Sequence, residues 1–169
     1  VILTGKATKK ANEFLKLDKE YIATMKLGYT STTGDIEGEI IASNSSVRVP
    51  KLVDVEKVVE KFMGETEQTV PVYSAVKING RRAYKLAREG KEVEMPKRKV
   101  RIDEIEILRY EWPYLEIRCK VSSGTYIRAL GEDSGKLLGT GAYLTALRRT
   151  QVGKYRIEDA KALEEMGLK

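Results

Sequence analysis

At 169 residues, with 41% apolar and 33% charged side chains, the chain has the size of one globular domain that buries its own core. One cysteine, Cys119, and no histidine exclude a disulfide framework, a cysteine or histidine metal site and every mechanism built on an imidazole. The excess of 31 Lys and Arg over 25 Asp and Glu leaves a net charge of +6, which leans toward a polyanionic partner, and no run approaches the ~20 apolar residues of a membrane span.

In chain order, the apolar start at Val1, Ile2 and Leu3 reads as a short strand over 1–4, followed by a short helix over 9–15 that buries Ala11, Phe14 and Leu15. Tyr21, Ala23, Met25 and Leu27 alternate with polar neighbours, so 21–27 is a strand ended by Gly28. A polar, turn-rich loop over 30–38 carries Asp35, and 39–42 returns as a strand. Val55, Val58, Val59 and Phe62 fall at helical spacing over 52–64, with Asp54 as N-cap and Gly64 at the end. An Asn79-Gly80 turn and a short helix over 84–89 follow. Two strands come next, at 99–110 with an irregularity after Asp103 and at 115–121. Beyond Gly124 the period changes to a helix closed by Gly139, then a second short helix over 141–147, a strand over 152–157 and a helix over 158–166. With no regular βαβ alternation, the class is α+β.

Four places concentrate chemistry. Ser122 to Arg128 joins a strand to a helix, with small residues for a tight turn and Tyr126 and Arg128 presented from the helix start; it reads either as a ligand site for a phosphate or carboxylate or as a capped helix with a surface arginine. Val70 to Tyr84 interleaves tyrosines with Lys77, Arg81 and Arg82, and Lys97 to Arg101, including Arg98, extends the charge; splayed RNA bases and phosphates need this mixture, although each group alone suits a solvated face. Tyr21 is either core or site, and Asp35 either turn or site. Arg148-Arg149 binds phosphate or pairs with acidic neighbours. No phosphate-loop or dinucleotide signature is present. The residues alone reach a basic α+β domain with an RNA-binding surface.

Several segments together carry a resemblance: Gly5-Lys6-Ala7-Thr8-Lys9, Lys19-Glu20-Tyr21, Thr32-Thr33-Gly34-Asp35-Ile36-Glu37-Gly38, Pro71 to Gly80, Ser123-Gly124-Thr125-Tyr126-Ile127-Arg128, Gly139-Thr140-Gly141-Ala142 and Leu147-Arg148-Arg149. In this order and spacing the chain resembles the bacterial TruB family of tRNA pseudouridine-55 synthases along nearly its whole length. The resemblance implies a pseudouridine synthase catalytic fold, with a mixed, mainly antiparallel sheet flanked by helices and a thumb-like RNA-binding insertion that with its flanks covers about 66–98. It implies isomerisation of uridine 55 in the tRNA T-loop after the base is flipped out, with no cofactor and no metal. The implied partner is the tRNA T-stem-loop, without guide RNA, for a cytoplasmic monomer.

Residue by residue, Tyr21 matches the family's active-site tyrosine, expected to stack on the base and remove the C5 proton. Arg128 matches the arginine that orders the catalytic aspartate. Tyr126 and Leu147 match residues lining the base pocket, and Asp35 a polar residue beside it. Lys77, Arg81, Arg82, Arg98, Arg148 and Arg149 are the expected RNA binders.

Two departures stand out. The family's nucleophile is an aspartate in a Leu-Asp-Pro segment that belongs ahead of Val1, and none of Asp18, Asp35, Asp54, Asp103, Asp133 and Asp159 stands in that context. The family's PUA-type C-terminal domain is also not found in the sequence. The expectation is therefore an N-terminally incomplete catalytic domain, inactive alone. The alternative is a noncatalytic tRNA-binding or RNA-folding module.

Overall fold

A computed structural model describes residues 1–43, 48–162 and 165. After a 3-10 turn at Gly5–Lys10 comes α1 (Ala11–Lys16), and then β1 (Lys19–Leu27), β2 (Tyr29–Ser31) and β3 (Ile40–Ala42). Next are α2 (Leu52–Glu60), β4 (Gly64–Thr69), the hairpin β5 (Lys77–Ile78) and β6 (Arg81–Arg82), and α3 (Ala83–Arg88). The long strands β7 (Lys97–Glu111) and β8 (Tyr114–Val121) lead to α4 (Ile127–Leu138), β9 (Ala142–Val152) and β10 (Tyr155–Arg156). No helix among the described residues is long and apolar enough to cross a membrane.

Six strands form one antiparallel sheet in the order β10–β9–β1–β8–β7–β4. The fold is the expected α+β class with a mainly antiparallel sheet. Alternation decides which face is buried. Ala23 and Met25 of β1 lie opposite Ile117 and Leu115 of β8, and with Leu27, Cys119 and Val121 they make one apolar face. Val55 and Val59 of α2 and Ile127 and Leu130 of α4 close over it. On the other face, Lys120 pairs with Glu104 at 2.7 Å and Arg118 with Glu106, each directly across the β7–β8 ladder. These exposed pairs contribute little stability, about 0–1 kcal/mol each, but they keep that face polar.

The irregularity expected after Asp103 is a register shift between Ile102 and Glu104, and a second follows between Ile107 and Arg109. Asn79 (φ 49°) and Gly80 (φ 81°) make the expected tight turn.

Other expectations fail. Residues 1–4 form no strand, and Val1 and Ile2 are exposed. The helix over 11–16 buries no residue, because Leu15 faces solvent and only Phe14 is covered, 5.7 Å from the Tyr155 ring. Asp54 is not the N-cap of α2; Lys51 is, and the Asp54 carboxylate accepts the Lys51 N–H at 3.0 Å from three residues along. Gly64 opens β4, a strand whose polar sequence shows no apolar period. The helix expected over 141–147 is the first half of β9. The strand at 152–157 reduces to β10, and the helix at 158–166 begins as a 3-10 turn at Ile157–Asp159; residues 163, 164 and 166 lie outside the described residues. The flanks of the expected insertion, 66–69 on edge strand β4 and 97–98 at the start of β7, belong to the main sheet, which leaves that expectation standing.

Helix α4 is set against the sheet by contact with backbone. A Cβ on Gly135 would stand 2.3 Å from the Ala142 nitrogen and 2.3 Å from the Gly141 carbonyl carbon, atoms that cannot swing aside. Gly135 also receives the Thr140 and Gly141 N–H groups on its carbonyl, at 2.9 and 3.0 Å. Gly135→Ala is therefore expected to destabilise the fold by about 2 kcal/mol or more. Gly139→Ala, at a left-handed cap with open space around it (φ 70°), should cost only about 1 kcal/mol. Denaturant unfolding compares the two, and equal losses would contradict the close contact.

Candidate functional site

The loop between β2 and β3 is shaped around Asp35. Its Oδ1 accepts the Thr33 hydroxyl at 2.6 Å and the Glu37 N–H at 3.1 Å, while its carbonyl accepts the Ser31 hydroxyl at 2.6 Å. The backbone docks on the main sheet: Asp35 bridges to Leu144 of β9, and the Leu144 N–H donates to the Gly34 carbonyl at 2.9 Å. Gly34 is buried at φ 76°, a backbone conformation that favours glycine, and a Cβ there would stand 3.4 Å from the Arg128 Cβ and press on the Glu132 carboxylate.

Arg128, in the first turn of α4, gathers two segments. Its Nη1 donates to Asp35 Oδ2 and to the Thr33 carbonyl, both at 3.0 Å, and its Nη2 donates to the Tyr73 carbonyl at 2.7 Å. The Arg128 and Asp35 side chains are each 23% exposed. A planar, permanently charged fork suits this duty, because it supplies several donors in fixed directions. Three of its five N–H donors are used, and its Nε–H and one Nη2 hydrogen take no protein acceptor among the described residues.

A groove of about 710 Å³ opens beside this ion pair, lined by Asp35, Tyr73, Tyr84, Arg88, Tyr126 and Arg128 among others. Arg88 lies 5.7 Å from the Tyr84 ring centre, an aromatic–cation pair at the groove wall. Such a lining suits a planar, hydrogen-bonding ring attached to an anionic backbone. Among the described residues no group of three acidic or cysteine side chains is placed to hold a metal.

Of the residues singled out from sequence, Asp35, Tyr126 and Arg128 come together in this groove. Tyr21 and Leu147 do not line it. They sit on the apolar face of the sheet, Tyr21 opposite Cys119 and Arg149, Leu147 opposite Ala23. Tyr21 is half-buried against the core, whereas Leu147 is 48% exposed. Because β8 ends at Val121 opposite Lys19, the start of α4 and Tyr21 occupy the same end of the sheet.

The basic residues separate. Lys77, Arg81 and Arg82 lie exposed on the β5–β6 hairpin, with Arg81 bound to Glu89. The Arg98 Nη1 comes 4.0 Å from where a Gly124 side chain would begin, beside the turn into α4. Arg148 and Arg149 are exposed on β9, and Arg149 lines a separate basic hollow of about 480 Å³ with Lys154 and Arg156.

Two site residues escaped sequence reasoning. Gln68, on the unread strand β4, is buried against Tyr126. Glu132, one helical turn beyond Arg128, is half-buried beside Gly34.

Comparisons with known proteins decide the lineage. Residues 1–127 match the N-terminal domain model of the TruB family of pseudouridylate synthases, and residues 128–167 match the tRNA pseudouridylate synthase B C-terminal domain. The chain belongs to the TruB family. A tRNA pseudouridine synthase B from Francisella philomiragia is 50% identical over 165 residues, covering 98% of this chain and 55% of that protein; one from Francisella tularensis subsp. novicida is 48% identical over the same shares. The chain thus spans about half the length of these curated relatives. A chain in the crystal structure of a Cbf5–Nop10–Gar1 complex superposes with a TM-score of 0.65 at 28% identity, covering 90% of this chain and 35% of that one. A second, from an H/ACA RNP bound to a substrate RNA containing 2'-deoxyuridine, gives 0.62 at 24% identity, covering 97% and 41%, and shows the shared fold. The division between the two family matches falls at the first residues of α4, inside one continuous sheet. The Arg128–Asp35 pair crosses that division.

Burial pushes the Glu132 carboxyl above its ordinary value; Asp133 and Asp35 add to the rise, and Lys136 and Arg128 oppose it. An acid whose value is raised on folding loses stability as pH climbs from the ordinary 4.5 through the raised value, because the unfolded chain ionises first. Glu132→Gln is expected to flatten the pH dependence of stability in that window and to stabilise the protein at neutral pH. Unfolding curves from acid to neutral pH measure this; an unchanged slope would contradict it.

Proposed function

We propose that the natural protein carrying this chain converts uridine to pseudouridine in tRNA, at position 55 of the T-loop. The observation that carries the reading is the Arg128 cluster: a guanidinium fixed at the wall of an aromatic, basic groove, with two donors that take no protein acceptor among the described residues. An Nε–H beside an Nη2 hydrogen is the pair of donors that binds a carboxylate side-on. In this reading the nucleophilic aspartate approaches that edge, and Arg128 orders it.

Asp35 is unsuited to be that nucleophile. Its Oδ1 is held by Thr33 and Glu37 and its Oδ2 by Arg128, so its role is to aim the arginine. In this reading the attacking aspartate is not Asp35 but a residue of the natural protein that reaches the remaining edge of Arg128.

The reaction needs the target nucleotide extruded from the loop. The aspartate assists cleavage of the N-glycosidic bond, the uracil turns, and C5 bonds to the ribose carbon. The C5 proton then leaves, with the Tyr21 hydroxyl as its acceptor, and N1, freed from the ribose, takes up a proton from solvent, so the product is an isomer and no cofactor or metal is consumed. In this reading Tyr126 flanks the base from the groove, and Tyr21 and Leu147 meet it from the adjoining sheet face, outside the groove's own lining. Lys77, Arg82, Arg98, Arg148 and Arg149 meet phosphates, and a +6 chain gains affinity by releasing counterions from the RNA. The substrate is the T-stem-loop itself, read by a monomer without guide RNA.

The test uses the full-length natural protein and a T-stem-loop RNA tritiated at uracil C5. Tritium release matching pseudouridine formed at position 55 is expected. RNA binding without release would overturn the enzymatic reading in favour of a noncatalytic RNA module, and release from another uridine would overturn the site. In the same assay Tyr21→Phe should keep RNA affinity and lose about a hundredfold or more in single-turnover rate; a normal rate would remove Tyr21 as the proton acceptor.

A further inference from the structure

Gln68 lies on β4, a strand of almost wholly polar sequence, yet it is only 5% exposed. A buried amide has to find partners for both its donor and its acceptor. Gln68 finds both on one residue. Its Nε2 donates to the Tyr126 carbonyl at 3.0 Å, and the Tyr126 N–H donates to its Oε1 at 2.8 Å. This is the paired exchange that two facing residues make in an antiparallel ladder, made here by a side chain reaching from the edge of the sheet.

The residue so held is the last one before α4. Tyr126 is extended (φ −99°, ψ 109°), and no side chain caps the helix at that position. The Thr125 hydroxyl, the nearest alternative, is turned back to the Ser122 carbonyl at 2.9 Å. The Tyr126 carbonyl also accepts the Leu130 N–H at 3.2 Å, the first bond of the helix. Gln68 therefore grips the peptide on which the helix starts, and the helix start sets where the Tyr126 ring and, two residues on, the Arg128 guanidinium point.

We infer that Gln68 is a positioning residue for the reaction proposed above: its side-chain amide holds the Tyr126 peptide so that Tyr126 and Arg128 enter the groove in one fixed orientation. This rests on that functional reading. An amide is required because the site asks for one donor and one acceptor side by side. An ionised carboxylate of the same shape keeps the bond from the Tyr126 N–H but sets an oxygen against the Tyr126 carbonyl. Protonating it restores the donor.

Gln68→Glu and Gln68→Ala in the full-length natural protein test this, with single-turnover rate and RNA affinity measured from about pH 5 to about pH 8 and exchange of the Tyr126 amide hydrogen followed by NMR. Gln68→Ala is expected to lose about tenfold to hundredfold in rate, with RNA affinity within about threefold of wild type, and to exchange the Tyr126 amide faster. Gln68→Glu should be slow at high pH and recover relative to wild type as pH falls, a recovery that a purely structural loss would not show. Being isosteric, Gln68→Glu carries the test alone should Gln68→Ala fail to fold. A rate ratio of Gln68→Glu to wild type that stays flat with pH, or rates within about twofold of wild type in both variants, would overturn the inference. If the wild-type protein forms no pseudouridine, the functional reading fails separately, and the exchange rate then decides: faster exchange keeps the clamp on Tyr126 and unchanged exchange removes it.

Discussion

The site depends on one guanidinium. Arg128 is bonded to Asp35 and to the Thr33 carbonyl, each more than ninety residues away in the chain, and to the Tyr73 carbonyl, fifty-five residues away. These acceptors lie on two segments. The β2–β3 loop is polar, and the stretch after β4 is short of regular structure until the β5–β6 hairpin. A half-buried charge with carbonyl and carboxylate acceptors on two of its nitrogens gains more than a surface ion pair, and losing it would leave those acceptors partly desolvated and unpaired. The same arginine therefore closes the fold locally and faces the groove.

That arginine is useful only if its helix is in the right place, and two contacts far apart on α4 see to this. Near the C-terminal end, bare Gly135 lets the helix touch the backbone at Gly141 and Ala142, where β9 enters the sheet beside β1. At the N-terminal end, the Gln68 amide holds Tyr126 from the opposite side of the sheet, at β4. Between them, Ile127 and Leu130 bury the apolar stripe of the helix. The helix thus lies diagonally across the sheet, from the β4 edge to β9. The Gly34–Leu144 hydrogen bond then fastens the Asp35 loop to β9, so sheet, helix and loop share one frame.

Much of this could be read from residue types alone, and the exceptions have physical causes. Strands β1, β7 and β8 follow their apolar alternation, and α2, α3 and α4 follow helical spacing, with Gly139 closing α4. Strand β9 misled because of a bulge. Between Thr24 and Met25 its register slips by one residue, so Leu144 and Leu147 face the same side while standing three apart, a spacing that mimics a helix. Strand β4 was silent because its one buried side chain is a glutamine, which no hydrophobic period can reveal. Asp35, Tyr126 and Arg128 were legible as candidates, but not their joint geometry, which rests on hydrogen bonds to main-chain carbonyls at Thr33 and Tyr73. Tyr21 was legible as a strand residue, whereas Leu147 was expected on a helix and stands on β9; their absence from the groove follows from strand register, which local sequence does not specify.

Hydrogen exchange of the backbone in Arg128→Ala, compared with wild type, tests the latch most directly. If Arg128 joins the two segments, residues 32–38 and 71–75 lose protection together while β1 and β8 keep theirs. Unchanged protection in both loops would contradict the latch, as would loss confined to one of them.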